Sequence, residues 1–107
     1  MNTEKIRQLN DILRKTFIGG RVMLTTGIRA KSAEEQAEIL QTVRLFNEFT
    51  KANDPYGEHD FGSFDYKGQK IFWKIDYYDN NLQYLSEDPT DVSKTIRVIT
   101  ILLAEEY

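Results

Sequence analysis

Apolar residues recur at helical spacing near the start of the chain: Ile6, Leu9 and Leu13, with Ile12 and Phe17 widening the stripe. That spacing gathers them on one face and predicts a helix over residues 3–16, with Thr3 as its N-cap. Gly19-Gly20 is expected to stop it, because glycine enters the left-handed region without steric cost. Arg21 to Thr26 is rich in β-formers and reads as one strand closed by Gly27. A second helix is expected over residues 33–50. Ser32 and Glu35 have the spacing of a capping box at its start. Ile39, Leu40, Val43 and Phe46 line its apolar face. Asn53-Asp54-Pro55 ends it, since a residue before proline disfavours the α region.

The period then changes from helical to alternating. Phe61 to Tyr66 and Ile71 to Tyr78 read as two strands joined by a Lys67-Gly68 hairpin turn. In the second strand Ile71, Trp73, Ile75 and Tyr77 share the better core face, and Phe72, Lys74, Asp76 and Tyr78 share the other. If no helix covers that second face, it is a mixed aromatic and charged surface of the kind that binds partners. Asp79-Asn80-Asn81 reads as a turn, and Leu82 to Leu85 as a short returning strand. Asp88-Pro89-Thr90-Asp91 resembles a helix start, with Asp88 as N-cap and Pro89 in the first turn. Val92, Ile96, Ile99 and Leu103 keep helical spacing, so the last element is expected to be a helix. The β-branched run Thr95 to Ile101 makes a strand the alternative. The expected order is α-β-α-β-β-β-α: one α+β domain over residues 1–107, an antiparallel sheet of three or four strands with three helices.

Composition narrows the function classes. The chain has 107 residues and no cysteine, which excludes a disulfide framework, a cysteine-ligated metal and a thiol nucleophile. No run of apolar residues is long enough for a membrane span, and no secretory signal is visible, so a cytoplasmic location is expected. The net charge of −3 conceals an asymmetry. Residues 1–51 carry a net +3, residues 52–91 a net −6, and residues 92–107 are neutral. A net-acidic balance argues against direct nucleic-acid binding, which rests on neutralising phosphates.

The densest polar segment is Asn53-Asp54-Pro55-Tyr56-Gly57-Glu58-His59-Asp60, which holds the single histidine. One reading is acid–base chemistry, with His59 oriented by Asp60, Asp76 or Glu58. Another is a divalent metal site from Glu58 and His59 with Asp76 and Asp79, although no spaced ligand motif is present. The third is a scaffold: Asn53 and Asp54 turn the chain, Gly57 takes a positive φ, and His59 and Asp60 satisfy backbone groups. No serine stands in a nucleophile motif, and Gly19-Gly20-Arg21 lacks the phosphate-loop pattern and precedes a strand. No cofactor is expected, and catalysis is the lesser expectation.

The strings LRKTFIGGRVMLTTGI, NDPYGEHDFGSF, IFWKIDYYD, SEDPTD and TIRVITILLAEEY resemble a family of short proteobacterial proteins, the domain-of-unknown-function family numbered 3768. The resemblance runs from Leu9 to Tyr107, with Arg29 to Glu38 the least typical stretch. It implies a single-domain cytoplasmic protein of chromosomes, plasmids and other mobile elements. It makes Asp54, Gly57, Glu58, His59, Asp60, Trp73, Lys74, Asp76, Tyr77 and Asp79 the positions that match the family's signature. It carries no activity across. Its mobile-element association leads to an expected role as a non-catalytic binding module of the anti-CRISPR kind, an inhibitor or regulator of a nucleic-acid-handling defence complex. An acidic surface would occupy the partner's basic channel in place of phosphate. The expected contacts are Tyr56, Glu58, Asp60, Asp76, Tyr78, Asp79, Glu87 and Asp88.

Overall fold

A computed structural model describes residues 2–107. The elements are α1 (Thr3–Thr16), β1 (Arg21–Leu24), α2 (Thr26–Arg29), α3 (Ala33–Leu45), β2 (Phe61–Tyr66), β3 (Gln69–Tyr78) and β4 (Ile96–Leu103). A 3₁₀ turn, Ala104–Glu106, follows β4. The fold is α+β with three helices and a four-stranded sheet in the order β1-β4-β3-β2. The sheet is mixed: β2–β3 and β3–β4 are antiparallel, while β1 runs parallel to β4. No helix among the described residues is long and apolar enough to cross a membrane.

Local signals account for most of these elements. The Ser32–Glu35 capping box forms as expected, each side chain meeting the other residue's backbone N–H. The hairpin turns at Lys67 and Gly68, both at positive φ, and pairs Tyr66 with Gln69. At α1 the cap is Asn2 rather than Thr3, its side chain accepting from the Lys5 N–H. The helix ends one turn before the glycines, at Phe17, which takes the left-handed conformation with φ 58°. Packing holds it there: its ring joins the core and the Arg44 guanidinium lies 5.7 Å above it.

Two expectations are corrected by tertiary contacts. The helix expected over residues 33–50 ends at Leu45. The buried Arg14 guanidinium donates to the carbonyls of Val43, Arg44 and Phe46 and so caps the helix from outside. Residues 46–50 are thereby freed to fold Phe46 and Phe49 over Trp73. The last segment is a strand, and a central one. Asp88 and Asp91 cap turns instead of a helix, accepting from the N–H groups of Thr90 and Ser93. Val98 and Leu102 are buried on one face of β4, and Ile99, Ile101 and Leu103 on the other. A strand buried on both faces reads as a continuous apolar run, which also satisfies helical spacing. The expected strand at Leu82–Leu85 reduces to one bridge, Tyr78 with Leu85.

All three helices pack on one face of the sheet. The core joins Leu13, Ile28, Ile39, Val43 and Phe46 to Ile71, Trp73, Ile75, Ile99, Ile101 and Leu103. The expected core face of β3 is therefore the real one. Its opposite face, with Phe72, Lys74, Asp76 and Tyr78, has no helix over it. Gly62 pairs with Trp73 across the β2–β3 ladder, and a Cβ there would overlap the indole ring. Gly62→Ala should therefore lower stability by about 1–3 kcal/mol, the usual cost of overpacking a core. Urea unfolding of the variant beside wild type measures this.

Candidate functional site

The polar loop 53–60 closes over α1, and two hydrogen-bonded groups fasten it there. The first centres on Asn10, a fully buried carboxamide on the apolar stripe of α1. Its Nδ2 donates to the Glu58 carbonyl at 3.0 Å and to the Tyr77 hydroxyl at 2.7 Å. Its Oδ1 accepts from Arg97 Nε at 2.9 Å. The Tyr77 hydroxyl in turn donates to Glu58 Oε1 at 2.7 Å. Arg97 stacks over the Tyr77 ring at 5.1 Å and donates to the Pro89 carbonyl. Burial, then the Glu58 hydrogen bond, pushes the Tyr77 hydroxyl far above its ordinary pKa, so it stays protonated and donating. Burial pulls Arg97 below its ordinary value, against the opposing pull of Tyr77 and Glu58.

The second group centres on His59, at a left-handed φ of 55°. Its backbone N–H donates to Asp54 Oδ1 at 3.1 Å. Ring atom Nδ1 lies 2.9 Å from Asp11 Oδ1, and Nε2 faces Asp54 Oδ2 at 3.6 Å. The same Asp11 oxygen takes Arg14 Nη2 at 3.2 Å. The imidazole stacks flat on Phe49, centroids 3.7 Å apart. Nδ1 is within hydrogen-bond reach of Asp11, and Nε2 faces Asp54 beyond hydrogen-bond distance.

The expected site residues thus separate. Glu58 and His59 lie on the helix side of the sheet. Asp76 projects from the opposite face of β3 and is ion-paired with Lys74. Asp79 closes its own turn, accepting from the N–H groups of Asn81 and Gln83 at 3.2 and 3.0 Å. Asp88 is held by Thr90, and Glu87 is exposed beside Lys94 at 3.3 Å. Tyr56 stands exposed at the loop tip. Tyr78 lines a groove of about 380 Å³ with Arg21, Met23, Leu82, Val98 and Thr100. Glu58, His59, Asp76 and Asp79 do not converge, and among the described residues no three such side chains could hold a metal. Asp60 is half-buried and its carbonyl accepts from the Ile75 N–H. Burial, then the charge of Glu58, raises its carboxyl above the ordinary range.

Asn10, Asp11, Arg14, Phe49 and Arg97 complete these groups and were not singled out from the sequence. Asn10 and Arg97 left a trace, since each is a polar residue inside an otherwise apolar pattern. Asp11 left none.

The fold is a small α+β domain with helices on one face of its sheet and a polar loop hydrogen-bonded to α1. Residues 24–106 match the sequence model described as "Protein of unknown function (DUF3768)", and the chain belongs to that family. No curated protein and no solved structure matches the chain.

Removing the Asn10 carboxamide leaves the Tyr77 hydroxyl and the Arg97 guanidinium short of buried partners. Asn10→Ala should destabilise the fold by about 1–3 kcal/mol or more, read from denaturant midpoints. Asp60 sets a pH dependence of opposite sense to a salt-bridged carboxylate. Its folded pKa lies above its unfolded one, so its contribution is fully present below about pH 4 and is lost as pH rises through the folded value. Asp60→Asn should melt higher than wild type at pH 7, with the difference closing as pH falls below about 4. Thermal melts across that range test it.

Proposed function

We propose that this chain is a non-catalytic protein-binding module that presents the helix-free face of its sheet to a partner. The observation that carries this is the composition of that face. Phe61, Phe72 and Tyr107 form an edge-to-face cluster with centroids 5.1, 5.6 and 6.5 Å apart. The Lys74–Asp76 pair lies next to it on β3, with Tyr78 and the exposed Met23 beyond. Tyr107 is exposed and Phe61 and Phe72 are half-buried beneath it, and aromatic anchors beside polar groups are the usual make-up of binding hot spots.

The partner in this reading presents a basic surface, as a nucleic-acid-handling complex does. The −6 charge of residues 52–91 supplies long-range attraction to it. Of the expected contacts, Asp76 and Tyr78 belong to the open face, and Glu87 is exposed on the loop between β3 and β4. Glu58, Asp79 and Asp88 are engaged in holding the fold and serve the surface through their charge alone. A role as a mobile-element inhibitor or regulator of a host defence complex follows if that complex's basic channel is the surface covered.

The tagged full chain should retain a partner from its native host, and rising salt should release it. Tyr107→Ala, at an exposed position, should weaken that complex about ten-fold, as loss of an aromatic anchor does. Asp76→Asn should flatten the salt dependence. Binding that is indifferent to both variants and to salt would sink the proposal.

A further inference from the structure

β1 forms one edge of the sheet, and its outward side is unpaired. The Thr25 N–H donates to the Ile101 carbonyl, which sets the phase of the ladder. By two-residue alternation, Arg21 and Met23 bond inward to β4, and Val22 and Leu24 turn their N–H and C=O groups outward. Among the described residues no hydrogen bond takes up those groups. β1 is short, four residues, and carries no proline or lysine, so its length alone limits how many bonds an added strand can make. Val22 and Met23 expose apolar side chains, Met23 by 55%.

Both sides of this edge are hollow. On the helix side a groove of about 430 Å³ is lined by Val22, Met23, Leu24, Arg29 and Gln36. On the open side lies the groove of about 380 Å³ that Arg21 and Met23 share with Tyr78 and Leu82. A strand laid against β1 would send alternate side chains into the two grooves. Each groove carries one exposed arginine, Arg21 or Arg29, without an ion-pair partner among the described residues.

We propose that β1 is a strand-addition site for an extended, acidic segment of a protein partner. Backbone groups of Val22 and Leu24 hold the segment, and Arg21 and Arg29 select its carboxylates. Charge decides against a second copy of this chain as the occupant. β1 pairing with β1 would bring a second set of arginines to the edge and no carboxylate to meet them. The open-side groove shares Met23 and Tyr78 with the aromatic face, while the β1 backbone groups and the helix-side groove at Arg29 lie outside that face.

Selection from a displayed library of random short peptides, with the full chain as bait, tests the proposal. Peptides alternating apolar residues with Asp or Glu should be enriched. A selected peptide should slow amide hydrogen exchange at Val22 and Leu24. The double variant Arg21→Gln, Arg29→Gln changes only exposed side chains, and should bind about five-fold more weakly or worse while melting as wild type does. Failure to enrich acidic peptides overturns the proposal. So does binding that leaves those two amides unchanged, or self-association of the free chain that protects them.

Discussion

Asn10 is the contact on which the rest of this structure depends. One carboxamide donates to the polar loop and to β3, and accepts from β4, while its own backbone belongs to α1. Its donors and acceptor are all used, which is the condition for keeping a polar group in a core. The Arg97 guanidinium, taken out of water beside it, is supported by Asn10, by the Pro89 carbonyl and by the Tyr77 ring. Such a cluster adds little net stability over an apolar core of the same shape. Broken in part, it is costly. Its effect here is to select one register: α1 can seat against the sheet in the position that satisfies all of these groups at once.

Arg14 extends the same logic to the other end of α1. It ends α3 by taking the carbonyls of that helix, and it meets Asp11, the residue that also takes His59. Phe49 stacks on the His59 ring, and the Arg14 guanidinium lies 5.4 Å from the Phe49 ring and 5.3 Å from that of Trp73. The loop 53–60 is thereby fastened to α1 and to the edge of the core. The histidine and its neighbours supply position. The face of the sheet left without helices carries aromatic side chains and the Lys74–Asp76 pair, half-buried against one another.

Much of the architecture was legible in the chain because the interactions behind it are short-range. The apolar stripe of α1, the Ser32–Glu35 box and the Lys67-Gly68 hairpin each follow from residues within one turn of one another. The alternation in β3 assigned its two faces correctly. The C-terminal strand was harder, because a strand buried on both sides loses its alternation and so lost the signal that would have distinguished it. The end of α3 was invisible for a different reason: the group that caps it, Arg14, lies on another helix.

The sequence by itself determined the class of fold, the elements held by local spacing and caps, the acidic middle segment and the loop as its polar centre. The tertiary structure alone decided how those polar groups pair. The partners of Asn10 lie 48, 67 and 87 positions away along the chain, and His59 meets Asp11 across 48. Nothing in residue spacing encodes contacts at that range, because they exist only once the sheet and α1 have brought the segments together. The same packing ion-paired Asp76 away from His59 and left one sheet face and one strand edge open, which residue types alone do not specify.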